Sequence, residues 1–278
     1  MKSAMLGLLA ETPIHPGAGR SLGVIDLPVA RESTTDYPVI AGSSLKGAFR
    51  DKAQKMQVFD SKEVDRLFGK QDHAGELLIS DARILLLPVR SLTSSFRWAT
   101  CPHLIDRCHR DLARAGLSTL HEVSDVEVER GKVLARGDGH LFLEERQFAI
   151  GGDPDEALVT ALKPFILHPE TQKTLDERIV VLNDCDFAWF ARYGLTVQAR
   201  NVLEEKTKRS KNLWYEETLP PDTVMYALFA TRTDTEMVLV VDAMFPERDP
   251  YLQVGGNETV GQGWFAVSKI ISEEGENA

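Results

Sequence analysis

Pro38-Val39-Ile40-Ala41-Gly42-Ser43-Ser44-Leu45-Lys46-Gly47-Ala48-Phe49-Arg50 sets two serines and two cations at the start of an expected helix. First-turn N–H groups have no intrahelical partner and the helix dipole adds partial positive charge, so such a start takes a phosphate at low cost. Lys46 and Arg50, four apart, share one helical face, and Gly47 lets another backbone come close. Near the other end, Gly255-Gly256-Asn257-Glu258-Thr259-Val260-Gly261-Gln262-Gly263 has four glycines in nine residues. Gly255, Gly256, Gly261 and Gly263 permit positive φ, while Asn257 and Thr259 add hydrogen-bonding side chains, as a nest for phosphate oxygens needs. Neither run is a P-loop, because Gly-x-x-x-x-Gly-Lys-Ser/Thr is absent, and nucleotide hydrolysis has no support. Each run alone equally suits a capped helix or a turn into a strand. Together they point to a phosphate backbone.

A net charge of −10 opposes that partner only as a sum, since binding depends on where charges sit. Acid gathers at Glu122 to Glu129, Asp153 to Glu156 and Glu273-Glu274-Gly275-Glu276. Lys206, Lys208, Arg209 and Lys211 cluster elsewhere, and Arg20, Arg31, Lys46, Arg50 and Lys52 gather around the first motif. A solvated charge run explains the same clusters without a partner. The 278 residues, 43% hydrophobic, suffice for one elaborated domain or two small ones. No run approaches the roughly 18 apolar residues of a membrane span. Met1 to Ala10 lacks a small-residue cleavage site and reads as a first strand, and the odd trio Cys101, Cys108 and Cys185 suits a reducing, cytoplasmic compartment.

These motifs must be positioned by a mixed set of elements. Met5 to Ala10 reads as a strand, followed by a long Gly/Pro-rich loop to Pro38, of a length that is usually functional or mobile. Ser43 or Ser44 is expected to cap a helix reaching Met56, with a second helix over Lys62 to Phe68. Glu76 to Val89 reads as one strand, Pro102 to Ala115 and Asp184 to Tyr193 as helices, and His140 to Ile150 and Val197 to Leu203 as strands. Thr223 to Thr231 and Glu236 to Ala243 read as a strand pair, and Trp264 to Ile271 as the last strand. Without regular βα alternation, the pattern predicts an α+β fold with helices on one sheet face.

Gly23-Val24-Ile25-Asp26-Leu27-Pro28-Val29-Ala30-Arg31-Glu32, the Pro38 to Arg50 run, Ser80-Asp81-Ala82-Arg83 with Pro88-Val89-Arg90-Ser91-Leu92, and the Gly255 to Gly263 loop occur in this order. Together they resemble the RAMP superfamily of CRISPR-associated proteins, and within it the backbone subunit of the type III-B (Cmr) effector complex. The resemblance implies an RRM-like (ferredoxin-like) palm with helical insertions across residues 1–278, a projecting β-hairpin thumb over 198–218, and a mobile catalytic loop over 13–38. It further implies copies of the chain stacked on a guide RNA beside other Cmr subunits, cutting complementary target RNA at regular intervals. Ser43, Ser44, Lys46, Arg50 and the Gly255 to Gly263 loop would hold the guide. Lys206 and Lys208 would sit on the thumb, where Val202, Leu203, Leu213 and Trp214 would wedge against bases, although core packing explains Trp214 equally well.

The aspartate of the Ile-Asp-Leu-Pro segment, Asp26, carries cleavage in that family. Attack by a 2′-hydroxyl needs in-line geometry, help with deprotonation and charge stabilisation at phosphorus. A carboxylate of ordinary pKa is a weak base, so Asp26 is expected to bind Mg²⁺ or Mn²⁺ or to orient the hydroxyl, with His15 assisting proton transfer. Two readings stay open beside this one: a non-catalytic RNA-binding scaffold, and a stand-alone endonuclease that processes repeat RNA. Cys101, His103, Cys108 and His109 fit no zinc spacing. Glu144-Glu145 and Glu216-Glu217 are adjacent pairs that a strand would turn to opposite sides, and one of the latter could support cleavage.

Overall fold

The computed structural model describes residues 3–117 and 126–271, so the acidic stretches at 122–125 and 273–276 lie outside the described residues. The first strand, β1 (Ser3–Ala10), is buried along nearly its whole length, which requires apolar side chains on both faces. A two-residue strand, β2 (Val39–Ile40), leads into α1 (Gly42–Met56) and α2 (Ser61–Phe68). The second helix starts at a capping box, in which Asp60 accepts from Glu63 N–H and Glu63 accepts from Asp60 N–H.

A small hairpin of β3 (Gly69–Lys70) and β4 (His73–Ala74) precedes β5 (Leu77–Ile79) and β6 (Ala82–Val89). The expected single strand over Glu76 to Val89 is therefore two, broken at Ser80-Asp81. Next come β7 (Arg97–Thr100), α3 (Pro102–Arg114), β8 (Lys132–Ala135), β9 (His140–Leu143) and β10 (Arg146–Gly152). Here the expected strand from His140 to Ile150 is a hairpin, turning where Glu144 adopts φ 49°. Helices α4 (Glu156–Leu162), α5 (Pro169–Lys173) and α6 (Leu175–Arg178), strand β11 (Ile179–Leu182) and helix α7 (Asp184–Tyr193) lead to β12 (Thr196–Leu203) and β13 (Ser210–Thr218). The chain finishes with β14 (Val224–Thr231), α8 (Met237–Met244), β15 (Tyr251–Gln253) and β16 (Trp264–Ile270). The segment read as a strand over Glu236 to Ala243 is helix α8; a short apolar run has no period that separates the two, and packing decides.

Ten strands form the main path β15-β16-β1-β14-β6-β7-β11-β8-β10-β9, with β2 added on β6 and β5 on β14. The pairs β7/β11 and β8/β10 are parallel and the remaining pairs antiparallel. Beyond β6, Ser91 bridges Leu143 and Glu144 N–H reaches the Arg90 carbonyl at 2.9 Å. The run from β6 to β9 thereby curls back on itself, which protects an edge that would otherwise be open.

Helices cover both faces, contrary to the one-sided arrangement expected. Leu6 and Leu8 join one core with Leu45 and Phe49 of α1, Val64 of α2, Phe187 of α7 and Met237 of α8. Met5 and Leu9 point into a second core with Cys108 and Leu112 of α3, Leu158 of α4 and Phe165. Period-2 alternation with apolar residues at both phases forces this double burial. Phe49 meets Phe229 and Phe245 edge-on, with centroids 4.4 and 5.5 Å apart, and so locks α1 to β14 and α8.

Candidate nucleic-acid interface

The start of α1 is built differently from the expected serine cap. Its N-cap is Ala41, without a side-chain cap, and Gly42 N–H donates to the Asp81 carboxylate at 2.7 Å. Ser43 and Ser44 already lie in the first turn, past the position from which a hydroxyl can cap. The break between β5 and β6 brings Asp81 there instead, and a Cβ on Gly42 would meet the Ile79 carbonyl at 2.7 Å.

Helix α1 forms a ridge between two cavities. Ser43, Lys46 and Arg50 line one of 600 Å³ together with Lys70, His73 and Arg232. Lys46 donates to the Leu77 carbonyl at 3.0 Å, and Arg50 donates to the Gly69 carbonyl at 2.5 Å and to Asp65 at 2.7 Å. Burial, with Arg232 nearby, pulls the Lys46 ammonium below its ordinary pKa. Four cations face one cavity there, and among the described residues only Arg50 of the four holds a carboxylate. An anion suits this arrangement. Ser44, Gly47, Asp51 and Lys55 face the other cavity, of 510 Å³, across from Gly17, Gly255 and Gly256. The two sequence motifs thus meet through Ser44 and Gly47, while Lys46 and Arg50 serve the opposite side.

The glycine loop spends several of its polar groups on its own fold. Gly255, Gly261 and Gly263 have φ of 97°, 82° and 92°. A Cβ at Gly255 would meet the His15 carbonyl at 2.7 Å, and one at Gly263 the Val254 carbonyl at 2.6 Å. Asn257 donates to Glu216 and, at 2.9 Å, to Gln262, so its amide is not a free phosphate ligand. Thr259 stands exposed in the single turn Glu258–Val260.

Asp26 lies half-buried on a segment that pairs with the hairpin. Leu27 bridges Glu216 in parallel, with Leu27 N–H to the Tyr215 carbonyl at 3.0 Å and Glu217 N–H to the Leu27 carbonyl at 2.9 Å. Tyr215 N–H donates to Asp26 Oδ2 at 2.8 Å, which fixes the carboxylate and leaves Oδ1 free of any such bond among the described residues. The loop over 13–38 is further tied by bridges at Ile14–Leu219, Gly17–Val29 and Arg31–Pro38. Residues 17–24 stand exposed at its tip.

His15 is 8% exposed and its Nδ1 lies 2.8 Å from the Glu217 carbonyl. A carbonyl only accepts, so Nδ1 is the donor in this bond. Gly256 N–H closes the loop onto the His15 carbonyl at 2.9 Å. One hydrogen-bonded chain therefore runs from the glycine loop through His15 and β13 to Asp26. Sequence reasoning noticed Glu216-Glu217 without finding its use. Glu217 accepts from Val29 N–H at 3.0 Å and from Arg31 at 2.8 Å, while Glu216 faces Asn257, on opposite sides as the strand requires.

The β12/β13 pair is an antiparallel hairpin whose turn carries Lys206 and Lys208, both exposed. Its first arm covers the strand expected over Val197 to Leu203. Val197, Leu203, Leu213 and Tyr215 are exposed along one face by strand alternation. Trp214 lies half-buried on the other face opposite Arg200, and its indole N–H has no acceptor among the described residues. No group of three or more His, Cys, Asp or Glu able to hold a metal occurs among the described residues. Cys101 and Cys108 are buried in different cores, which removes zinc.

A mixed α+β sheet, a cationic helix ridge, a glycine loop and a projecting hairpin define a protein built to grip a polyanion along its length. The RAMP superfamily profile matches residues 8–266. The CRISPR system Cmr endoribonuclease Cmr4 of Pyrococcus furiosus is 33% identical over 99% of this chain and 98% of its own length. The CMR subunit Cmr4 of Saccharolobus solfataricus is 22% identical over 91% of this chain and 92% of its own. A crystal structure of oligomeric Cmr4 from Pyrococcus furiosus superposes with a TM-score of 0.76 at 28% identity, covering 98% of this chain and 99% of that one. The chain belongs to the RAMP superfamily.

Proposed function

We propose that this chain is the backbone subunit of a type III-B CRISPR effector complex, stacked with further copies of itself and other Cmr subunits on a guide RNA, and that it cleaves target RNA paired to that guide. A cytoplasmic address goes with that role. The observation that carries the reading is Asp26, held by a backbone N–H at the root of a projecting hairpin, on the same hydrogen-bonded chain as the glycine loop. Relatives named as endoribonucleases support the reaction.

On this reading the sheet around β16, β1, β14 and β6 is the RRM-like palm and the β12/β13 hairpin the thumb. The cavity of Lys46, Arg50, Lys70 and Arg232 takes guide phosphates, and Gly47 and Gly256 let the backbone approach their shared cavity. Such contacts hold any sequence, as a guide requires. The apolar face of Val197, Leu203, Leu213 and Tyr215 splays the duplex, and Lys206 and Lys208 meet its backbone.

Asp26 Oδ1 accepts from the target 2′-hydroxyl and turns O2′ in line with the phosphorus. His15 is too enclosed, and too engaged with Glu217, to move a proton at the reacting atoms; its part is to hold β13 and the glycine loop together. Asp26 offers a divalent ion one carboxylate oxygen, and among the described residues no group of three or more His, Cys, Asp or Glu gathers to complete a site. Mg²⁺ or Mn²⁺ belongs to this proposal only as an ion carried by RNA phosphates.

Replacing Asp26 with Asn in the assembled complex is expected to abolish cutting while guide content and subunit ratio stay unchanged. Equal cutting by wild type and D26N rejects the catalytic assignment. No cutting by either assembled complex means a scaffold subunit. Processing of repeat RNA by the isolated chain selects the stand-alone enzyme.

A further inference from the structure

Attack on a phosphodiester builds negative charge on the non-bridging oxygens, and some cation has to meet it. The loop that carries Asp26 supplies a cation of its own. Ser21 N–H donates to the Asp26 carbonyl at 2.9 Å, and Gly23 N–H donates to the Ser21 hydroxyl at 3.0 Å. Residues 21–26 thereby close on themselves, and Arg20 directly precedes Ser21, whose N–H holds the Asp26 carbonyl. Its side chain is exposed and has no carboxylate partner among the described residues. Arg31, on the same loop, is by contrast engaged with Glu217 at 2.8 Å. The same tip carries Leu22 and Val24, fully exposed. Apolar side chains at such a position gain from being covered, and a strand laid over them would bring its backbone to Arg20.

Resting on the reading of Asp26 given above, we propose that Arg20 is a second catalytic residue, whose guanidinium binds the non-bridging oxygens of the scissile phosphate while Asp26 orients the 2′-hydroxyl. A guanidinium presents two parallel N–H donors that match two phosphate oxygens and keeps its charge at any working pH. The O2′–P bond forms as P–O5′ breaks. The 2′-hydroxyl proton passes to water, the departing 5′-oxygen takes a proton from water, and the products end in a 2′,3′-cyclic phosphate and a 5′-hydroxyl. Arg20 neither gains nor loses a proton.

The test is single-turnover cutting by the assembled complex with saturating target, for wild type, Arg20→Ala, Arg20→Lys and Asp26→Asn. Loss of one donor at a developing charge costs about 10²-fold in rate, so R20A is expected to be slower by that order and R20K to fall between. A phosphorothioate at the scissile position, which weakens the guanidinium contact, is expected to slow wild type and to leave R20A nearly unaffected. R20A cutting at the wild-type rate overturns the assignment of Arg20. So does a deficit that more target removes, or an undiminished phosphorothioate effect in R20A. Wild-type cutting by D26N would instead sink the reading of Asp26 on which this inference rests, whatever R20A does.

Discussion

On the proposed reading, Lys46 would serve binding at the expense of stability. Its proton affinity is lower in the folded protein than in the unfolded chain, first through burial and then through Arg232. Charged Lys46 therefore costs stability at neutral pH, and that cost fades only as pH rises through its folded pKa. Lys46→Met is expected to raise the melting temperature while weakening RNA binding, with the slope of log affinity against log salt falling by about one. Calorimetry and a salt titration of the same variant check both halves. Arg50 differs, because its guanidinium also ties α1 to Gly69 and Asp65. At His15 the role is architectural, so His15→Phe should leave the Glu217 carbonyl unpaired at a cost of about 1–3 kcal/mol. Cutting by that variant should fall by the same factor at every pH, and a changed shape of the pH–rate profile would return His15 to proton transfer.

At the scale of elements, glycines separate backbone need from ligand need. A Cβ at Gly47 meets nothing within 4 Å, and its backbone is ordinary helix. Gly47→Ala is expected to stabilise the protein by about 0.5–1 kcal/mol. If the open space beside it is kept for RNA, the same variant binds guide less tightly, and an unchanged affinity removes Gly47 from the interface. Gly263→Ala meets both a φ of 92° and the Val254 carbonyl, so it is expected to cost at least about 1–3 kcal/mol and to lower the thermal midpoint before any effect on RNA is measured. The α1 helix, the β12/β13 hairpin and β1 were legible because their periods or turn residues are local properties. Segment α8 was not: Met237 to Met244 is apolar at nearly every position, and only its packing against the core of Leu6 and Phe49 makes it a helix.

For the whole molecule, the net charge of −10 is a sum over the chain, while the cavity of Lys46, Arg50, Lys70 and Arg232 gathers cations locally. RNA binding by the assembled chain should weaken steeply with salt despite the charge of −10, since counterion release depends on the local cations. Binding insensitive to salt between about 50 and 200 mM would argue against the cavity of Lys46 and Arg50. The β12/β13 hairpin forms a two-stranded sheet apart from the curled one, and Asp26 is paired onto its β13 strand.

The sequence by itself determined the RAMP family, the helix with Lys46 and Arg50 on one face, the glycine loop, the hairpin arms and Asp26 as the residue to test. Each depends on residue type and short spacing, which no distant contact alters. Only the tertiary structure decided that Asp81 accepts from the first N–H of α1, that Lys46 and Arg50 face away from the glycine loop, that His15 is buried against the Glu217 carbonyl, and that Ser21 closes onto Asp26. Those facts depend on contacts between segments as far apart as 26 and 215, which no local pattern specifies.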